Sequence, residues 1–405
     1  MYIKRTLEEQ IKRASDFFPV VLVTGPRQVG KTTVLKNCEP EKRKYVSLDI
    51  LEDRMMAKQN PQLFLERYSA PVLIDEVQYA PELFPYIKAI VDKEQKPGMF
   101  WLTGSQQFHL MKNVTESLAG RIGILNLQGL SQDEQENKPI CLPFLPTQEF
   151  IDSKADRKTT LLTIYDRIWK GSFPKLYDAD DSFWTSYYSA YLRTYIERDI
   201  KDLSQITNEL DFLKFMQVLA ARTGQELVYK DIADDVGVSQ PTVKSWLSVL
   251  VASNIVYILQ PYFNNITKRA IKTPKIYFLD TGLACYLTGW TSANVLETGA
   301  MSGAMLETFV VSEILKSYWH NGREPALYYY RDKQKQEIDL LLEENGLLYP
   351  VEIKKKSNPD MGDIKTFDLI ENQLHKKAGN GAVICMADTH RPLTEKVTII
   401  PVGYL

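Results

Sequence analysis

The chain has 405 residues, which is more than one typical hydrophobic core supports, and this length predicts two or three domains. With 44% hydrophobic and 25% charged residues, the composition is that of an ordinary globular protein. The formal net charge at pH 7 is -2, which excludes a global basic field for nucleic acid, so any such contact has to come from a local patch.

The cysteines, histidines and apolar runs exclude several further classes of protein. The four cysteines and four histidines are scattered along the chain, without the paired spacing of a zinc site or a disulfide framework, which favours a reducing compartment. The longest apolar runs have the length of strands, so no membrane-spanning segment is expected. Residues 1–18 have the pattern of a charged amphipathic helix rather than of a signal peptide. These features predict a cytoplasmic protein.

Residues 18–130 alternate short β-rich apolar runs with helical stretches. The five runs are VVLVT (20–24), KYVSLD (44–49), APVLIDE (70–76), MFWLTGS (99–105) and RIGILNL (121–127). Strands separated by helices are typical of a parallel sheet in an α/β fold. The polar segment SQDEQENKP (131–139) ends this alternation, and the chain then becomes more helical.

The first predicted strand leads directly into GPRQVGKT, a full match to the P-loop pattern G-x-x-x-x-G-K-[ST]. The glycines allow backbone N–H groups to turn towards phosphates, and the following helix offers its positive N-terminal end to the same anion. Lys31 is expected to reach the β- and γ-phosphates of ATP, while the Thr32 hydroxyl binds Mg²⁺. The predicted nucleotide-binding residues are Gly25, Pro26, Arg27, Gln28, Val29, Gly30, Lys31, Thr32 and Thr33.

Two later strands end in polar residues that complete this site. The run PVLIDE is expected to deliver Asp75 to the Mg²⁺ side of the P-loop and to place Glu76 where a carboxylate polarises the attacking water. The next strand ends in LTGSQ, where Ser105, with Thr103 behind it, is placed to contact the γ-phosphate and report hydrolysis. Strands that merely end in solvated polar residues are the alternative interpretation.

The stretches TGPRQVGKTT, LIDEVQ, LTGSQ and SLAGRI together resemble prokaryotic AAA-type ATP-binding proteins that carry an uncharacterised C-terminal domain. Further matches, GSFPKLY, YLRTYIERDI, KTPKIYFLDTGL, EIDLLL and VEIKK, extend the resemblance over essentially the whole chain. The resemblance implies an AAA-type fold, a homo-oligomer, and an arginine finger at Arg121 that acts on the ATP of a neighbouring subunit. A basic residue favoured by the helix dipole is the structural alternative for Arg121. The chain departs from the family's usual Gly-Gly-Phe-Pro at Ser172, so a backbone role there is not transferred.

The middle of the chain contains a predicted helix-turn-helix, LVYKDIADDVGVSQPTVKSWL (227–247). Gly237 allows the tight turn, and Ser239 is expected to cap the second helix, which has Pro241 at an early position. Polar residues suited to phosphates or base edges would face outward, namely Gln240, Thr242, Lys244 and Ser245. The following hairpin carries a predicted basic wing formed by Lys268, Arg269, Lys272 and Lys275. DNA contact by this winged helix, and simple packing against the nucleotide domain, are both open interpretations.

Four residues of the last part suggest a nuclease-like core. Glu307 lies on the predicted helix GAMLETFVVSEIL, and Asp339 lies in the strand EIDLLL. Because side chains alternate along a strand, Glu352 and Lys354 of VEIKK share one face. The order Asp…Glu-x-Lys after a helical Glu resembles the PD-(D/E)xK nuclease core. In that core, Glu307, Asp339 and Glu352 would hold Mg²⁺, and Lys354 would position or activate water. An ordinary hairpin with charged outer positions is the alternative.

We therefore expect an α/β protein with four parts. They are an AAA-type P-loop ATPase domain at 1–135, a helical lid or linker at 136–225, a winged helix-turn-helix at 226–298, and a PD-(D/E)xK nuclease-like α/β domain at 299–405. The predicted function is Mg²⁺-dependent ATP binding and hydrolysis coupled to DNA binding or processing, with no membrane association. The alternative function is a signalling or scaffold NTPase whose C-terminal domain binds a partner without cutting nucleic acid.

Overall fold

The computed structural model describes residues 2–38, 43–104, 117–139, 141–154, 157, 159–195, 208–263 and 273–405. Within these residues the strands form a five-stranded and a ten-stranded sheet. Helices cover both faces of the first sheet and join the two sheets. Among the described residues, no helix combines the length and apolarity needed to cross a membrane.

The first sheet contains the five strands that the sequence predicts, and all its pairings are parallel. Their spatial order is β2-β3-β4-β1-β5. Parallel pairing brings the carboxyl ends of all five strands to one edge, where Asp75 lies opposite Ser47 and Thr103 lies opposite Val23. The strands are β1 (Val20–Thr24), β2 (Lys44–Ser47), β3 (Val72–Asp75), β4 (Phe100–Thr103) and β5 (Ile122–Asn126).

The three central strands, β3, β4 and β1, are buried on both faces because they are apolar at nearly every position rather than at alternate ones. In β1, Val21 and Val23 join one hydrophobic cluster, and Val20 and Leu22 join another on the opposite face. The predicted N-terminal helix covers the first face. The helices of this region are α1 (Leu7–Phe17), α2 (Lys31–Cys38), α3 (Leu51–Gln59), α4 (Pro61–Arg67) and α5 (Leu83–Glu94).

A helical region follows β5 and carries many aromatic side chains. Trp169 and Trp184 stack with ring centroids 4.7 Å apart, and Tyr188 packs edge-on against Trp184. This stacking holds the helix Trp184–Tyr195 against the helix Leu161–Lys170. The helices are α6 (Gln132–Gln135), α7 (Gln148–Asp152), α8 (Leu161–Lys170), α9 (Pro174–Tyr177), α10 (Trp184–Tyr195) and α11 (Glu209–Ala220).

The predicted helix-turn-helix sequence forms two helices that meet at Gly237, whose φ of 88° lies in the left-handed region that glycine favours. The Ser239 hydroxyl accepts a hydrogen bond from the Thr242 N–H and so caps the second helix. The use of this unit as a DNA-binding winged helix stays a prediction. Its elements are β6 (Gln225–Glu226), α12 (Tyr229–Val236), α13 (Gln240–Ala252), β7 (Val256–Pro261) and β8 (Lys275–Phe278).

The hairpin formed by β7 and β8 is continuous with the C-terminal sheet. Gln260 of β7 pairs in parallel with Tyr328 of β9, which produces the strand order β14-β15-β13-β11-β10-β9-β7-β8-β6, with β12 beside β11. No local sequence pattern predicts this pairing. The C-terminal elements are α14 (Thr281–Thr288), α15 (Ala293–Thr298), α16 (Ser302–Trp319), β9 (Leu327–Arg331), β10 (Glu337–Glu344), β11 (Leu347–Lys354), α17 (Leu369–Asn372), β12 (Lys377–Ala378), β13 (Gly381–Cys385), β14 (Arg391–Pro392) and β15 (Val397–Pro401).

One hydrophobic cluster extends through all of these regions. It contains Trp101 of the first sheet, Tyr188 of α10, Tyr277 of β8 and Val310 of α16. Shared burial of this kind is what is expected when parts of a chain pack as one unit rather than as separate domains joined by linkers. The first sheet, which carries the P-loop, and α16 therefore share one hydrophobic core.

Candidate functional site

The P-loop connects β1 to α2 and depends on two glycines with positive φ. Gly25 has φ 138°, and a Cβ atom at this position would lie 1.9 Å from the carbonyl oxygen of Leu127. Gly30 has φ 93° and directly precedes α2, whose first turn begins with a hydrogen bond from the Val34 N–H to the Gly30 carbonyl. Only glycine fits the approach at Gly25, so the loop can follow the closely packed path that a phosphate cradle needs.

Lys31 is buried and folds back onto the loop. Its ammonium donates to the carbonyl oxygens of Gly25, at 3.1 Å, and of Pro26, at 2.8 Å. These carbonyls hold a positive charge against the loop. The chain can therefore supply a cation to a phosphate group once the ammonium exchanges those carbonyls for phosphate oxygens.

Asp75 lies at the end of β3, and its carboxylate accepts hydrogen bonds from three side-chain hydroxyl groups. Thr32 donates to Oδ1 at 2.6 Å, Tyr45 donates to Oδ2 at 3.1 Å, and Thr103 also donates to Oδ1. The structure thus brings together Thr32 and Asp75, the pair that the sequence predicts as Mg²⁺ ligands. A hydroxyl and a carboxylate are oxygen donors of the kind that Mg²⁺ prefers, so these residues fit the metal that a P-loop site implies.

Glu76 follows Asp75 with φ 57°, an uncommon left-handed conformation for a residue with a side chain. Its N–H donates to the Thr103 hydroxyl at 2.9 Å, and the Gln78 amide donates to its carboxylate. Asp75 and Glu76 therefore have different partners, with Asp75 bonded to Thr32 and Glu76 to Gln78. Glu76 lines the cavity beside the P-loop, and the position of its carboxylate is supported by Gln78.

That cavity has a volume of about 370 Å³ and includes a residue that the sequence analysis missed. Thr194, near the end of α10, lies across it from the P-loop. The signal was present in the matched stretch YLRTYIERDI, although no chemistry in that stretch pointed to the nucleotide. The cavity is lined by Arg27, Gln28, Gly30, Lys31, Thr32, Thr33, Glu76 and Thr194.

A second cavity, of about 300 Å³, shares Gly30 and Thr33 with the first. Its walls come from the segment before α1, from the P-loop and α2, from Leu130 after β5, and from α9 with the residue that follows it. No motif identified this cavity, because its walls come from four distant segments. The lining residues are Tyr2, Ile3, Arg5, Val29, Gly30, Thr33, Asn37, Leu130, Pro174 and Asp178.

The predicted sensor and arginine-finger residues have partners within the chain where the structure describes them. Ser105 lies outside the described residues. Thr103 is fully buried and bonds both Asp75 and the Glu76 backbone, so it supports those residues from behind. Arg121 is about one third exposed and forms an ion pair with Asp92 of α5 in the same chain. The hydrogen bond from Arg121 lowers the pKa of Asp92.

Of the four residues of the predicted basic wing, the structure describes only Lys275, and this residue is not exposed. Lys268, Arg269 and Lys272 lie outside the described residues. Lys275 is only 5% exposed, and its ammonium lies 2.6 Å from Glu337 and 3.3 Å from Glu307. Burial disfavours the charged form, but attraction to Glu307 and Glu337 outweighs this cost and raises the pKa of Lys275. The prediction that Lys275 faces DNA is therefore wrong, because its charge is already paired inside the protein.

The outward face of the helix-turn-helix is polar, as the sequence predicts. Gln240, Lys244 and Ser245 are exposed, and Thr242 is partly exposed. Lys244 also lies over the ring of Tyr229, 5.2 Å from its centroid. This face offers a single basic side chain near the start of α13, so DNA contact there stays a prediction.

The C-terminal strands bring together three of the four predicted nuclease residues. Lys354 lies 2.5 Å from Glu352 and 3.6 Å from Asp339, which also accepts a hydrogen bond from the Ile353 N–H at 2.9 Å. Burial, and then the nearby Asp339 carboxylate, raises the pKa of Glu352 to about 8. The Lys354 ammonium lies between the two carboxylates and reduces their mutual repulsion.

Glu307 has different partners, from the wing hairpin. The Tyr277 hydroxyl donates to Oε1 of Glu307 at 2.6 Å, and Lys275 contacts the same oxygen. Across the part of the chain that the structure describes, no group of three or more His, Cys, Asp or Glu side chains is arranged to hold a metal ion. As placed, Glu307 contacts the Lys275 ammonium, and Asp339 and Glu352 contact the Lys354 ammonium. Metal binding by Glu307, Asp339 and Glu352 thus stays a prediction.

The fold and the P-loop site define a P-loop ATPase of the AAA type, and residues 18–136 match the family described as an AAA domain. Residues 162–294 and 302–405 match two domains of unknown function, DUF8612 and DUF4143. Uncharacterized protein Rv2008c of Mycobacterium tuberculosis and Uncharacterized protein Mb2031c of Mycobacterium bovis are each 31% identical over 411 residues, or 98% of this chain and 83% of each relative. The chain belongs to the family of these proteins.

Among solved structures, the Walker-type ATPase PabY2304 of Pyrococcus abyssi is similar to this chain. It is 16% identical, with a TM-score of 0.40, and the similarity covers 69% of this chain and 94% of that protein. The match to the AAA domain and the site geometry remain the basis of the assignment.

Proposed function

We propose that this protein binds ATP with Mg²⁺ at the P-loop and hydrolyses it. The observation that carries the proposal is the hydrogen bond of 2.6 Å between Thr32 and Asp75 at the mouth of the P-loop, with Glu76 on the same cavity. A hydroxyl, a carboxylate at a strand end and a second carboxylate on the next residue are the parts that phosphoryl transfer to water requires.

Each residue has a distinct task in this proposal. Lys31 exchanges the carbonyls of Gly25 and Pro26 for phosphate oxygens and neutralises their charge. Thr32 and Asp75 would hold Mg²⁺, which when bound supplies positive charge to the β- and γ-phosphates. Glu76 orients a water molecule and accepts its proton, in a position supported by the Gln78 amide.

The second cavity is suited to the base of the nucleotide. It adjoins the phosphate cavity through Gly30 and Thr33, and apolar groups from Ile3, Val29 and Pro174 line it. A planar heterocycle gains from such apolar walls, and a few polar groups at the rim fix its orientation. We therefore assign the base to this cavity and the triphosphate to the one beside Glu76.

Lys31→Ala tests the binding step. Titration of the wild type with a fluorescent ATP analogue and Mg²⁺ should show saturable binding that the variant loses, since a methyl group cannot contact the phosphates. Lys58→Ala, at an exposed position of α3 that lines neither cavity, is the control and should bind as the wild type does. Equal binding by Lys31→Ala and the wild type would remove the proposal.

For the C-terminal part we propose association with DNA or another partner, coupled to the ATPase. Close approach of Asp339, Glu352 and Lys354 is the observation behind a nuclease activity, and the ion pairs of Lys354 with both carboxylates are the observation against it. These ion pairs favour a signalling or scaffold NTPase whose C-terminal part binds a partner without cutting nucleic acid. Incubation of the wild type and Lys354→Ala with DNA and Mg²⁺ separates the two, because only a nuclease yields products that the variant fails to make.

A further inference from the structure

Arg5, on the segment before α1, connects several parts of the protein from a position that is only 4% exposed. Its two terminal nitrogens donate to the carbonyl oxygens of Val29 at 2.9 Å, Gln128 at 2.8 Å and Gly129 at 3.0 Å. Its Nε lies 2.9 Å from the Glu134 carboxylate. A planar guanidinium has donors in a fixed fork for all four partners at once, which a lysine ammonium does not.

The contact with Val29 bears directly on the nucleotide site. Val29 is the P-loop residue before Gly30, and Gly30 lines both cavities. Because the peptide bond is planar and trans, the Val29 carbonyl and the Gly30 N–H point in opposite directions. When Arg5 holds that carbonyl, it fixes the direction of an N–H group that belongs to the phosphate cradle.

Glu134 holds Arg5 from the other side and is fully buried. Its Oε2 faces Arg5 and also accepts from the Ser131 N–H, while its Oε1 accepts from the Thr6 N–H at 2.9 Å and lies 3.2 Å from Nδ1 of His320. Burial opposes ionisation of Glu134, but the attraction of the Arg5 guanidinium outweighs it and lowers the pKa of Glu134. The pair with Arg5 is thus ionic at neutral pH.

His320 continues the connection into the C-terminal part. It directly follows α16, and its Nε2 accepts a hydrogen bond from the Gln128 N–H at 3.1 Å. One turn earlier in α16, Lys316 donates to the Leu130 carbonyl at 3.1 Å. Buried polar contacts therefore pass without interruption from the P-loop through Arg5 and Glu134 to the end of α16.

We propose that Arg5 is a positioning residue for the P-loop, and that its contact with Glu134 and His320 makes nucleotide binding depend on the placement of α16. The inference rests on the proposed ATP binding and adds a regulatory connection to it. Coupling between two sites is reciprocal. Displacement of α16 by a partner of the C-terminal part changes ATP affinity, and ATP in turn changes the environment of α16.

Three variants test this connection. Arg5→Lys keeps the charge opposite Glu134 but cannot bond Val29, Gln128 and Gly129 together, and His320→Ala removes the link to α16. Arg157→Lys is the matched control. Arg157 is also 4% exposed in its side chain and pairs with acidic residues of the same segment, Asp133 and Glu136, but its described ion pairs do not include the P-loop.

The measurements are the Kd of a fluorescent ATP analogue with Mg²⁺, the Tm without nucleotide, and amide hydrogen exchange of α16 with and without ATP. We expect Arg5→Lys to weaken binding by about tenfold or more and His320→Ala by about fivefold, in the range of allosteric couplings. Arg157→Lys should lower the Tm comparably yet bind within about twofold of the wild type. ATP should slow exchange in α16 of the wild type and of Arg157→Lys, but not of Arg5→Lys or His320→Ala.

Several results would overturn the inference. Arg5→Lys that folds and binds as the wild type does, or Arg157→Lys that loses as much affinity, removes the positioning role. If Arg5→Lys fails to fold, His320→Ala decides, and unchanged affinity together with an unchanged exchange response rejects the coupling. A wild type that binds no nucleotide rejects the proposed function itself. Wild-type binding that Lys31→Ala loses and Arg5→Lys retains rejects only the connection through Arg5.

Discussion

The Thr32 hydroxyl lies 2.6 Å from the Asp75 carboxylate, although 43 residues separate the two in the chain. The contact exists because β1 and β3 end at the same edge of a parallel sheet, with β4 between them. Thr103 of that middle strand bonds both Asp75 and the backbone of Glu76, and so ties the two acids to the sheet. The roles of these acids can be separated by substitution.

Glu76→Gln should stop turnover while ATP binding persists. The amide keeps the size of the side chain but cannot accept a proton from water, and loss of a general base typically costs about 10²- to 10⁴-fold in rate. Phosphate release measures turnover, and an ATP analogue measures affinity. Glu82→Gln, a nearby exposed carboxylate that does not line the phosphate cavity, is the control. Wild-type turnover by Glu76→Gln would show that another group activates the water.

Arg121→Ala should lower hydrolysis by about 10³-fold or more if it acts on the ATP of a neighbouring subunit, with affinity nearly intact. Mixing Arg121→Ala with Lys31→Ala protein should restore some hydrolysis, since one interface in the mixture is complete. Asp92→Asn is the control, because it removes the partner of Arg121 within the chain and leaves the arginine in place. A protein that stays monomeric by light scattering with ATP present contradicts this model.

Lys275→Met should destabilise the protein by about 1 to 3 kcal/mol, because it leaves the partly buried Glu307 without its cation and Glu337, among the described residues, with only the 3.6 Å contact to Arg331. Lys244→Met, at an exposed position, should change stability by less than about 0.5 kcal/mol. Urea unfolding of the three proteins gives both values. A lysine that faced DNA would behave in the opposite way, with unchanged stability and a weaker salt dependence of DNA affinity.

Lys275 also shows where prediction from sequence ends. The P-loop, Asp75 and Glu76 were predictable because each belongs to a short contiguous motif next to an apolar strand. Lys275 looked like an exposed basic residue because its partners are distant in the chain. Glu337 lies near it through the pairing of β7 with β9, and Glu307 through the packing of α16 on β8, and neither contact has a local sequence signal. Arg5 and Thr194 were missed for the same reason, since their positions depend on packing between distant segments.

The stability contributed by Glu134 should depend on pH. Its pKa is lowered in the folded protein, so its contribution is present above the ordinary carboxyl pKa of about 4.3 and is lost as the pH falls towards the folded value. The free energy of unfolding of the wild type should therefore exceed that of Glu134→Gln by about 3 to 5 kcal/mol at pH 7, and by less at pH 3 to 4. Denaturant unfolding at both pH values measures the difference. Glu9→Gln, which breaks the exposed pair with Arg13, should show a small difference at either pH.

The last prediction concerns the cluster of Asp339, Glu352 and Lys354. If the lysine ammonium serves only to neutralise the two carboxylates, Mn²⁺ should leave the Tm of the protein unchanged, and Asp339→Asn should raise stability slightly because it removes one of two repelling acids. If the carboxylates are metal ligands, Mn²⁺ should raise the Tm, since a ligand that binds only the folded state stabilises it, and Asp339→Asn should lose this shift.

Both proteins are best compared in a Lys31→Ala background, so that Mn²⁺ bound with nucleotide at the P-loop does not contribute. Asp332→Asn, an acid outside this cluster that follows β9, is the matched control and should respond as its parent does. From the ion pairs of Lys354 with both carboxylates we expect no shift in either protein. An increase of the Tm with Mn²⁺ that Asp339→Asn loses and Asp332→Asn keeps would contradict the proposal that the C-terminal part binds a partner without cutting nucleic acid. DNA cleavage that disappears in Lys354→Ala would then establish a nuclease.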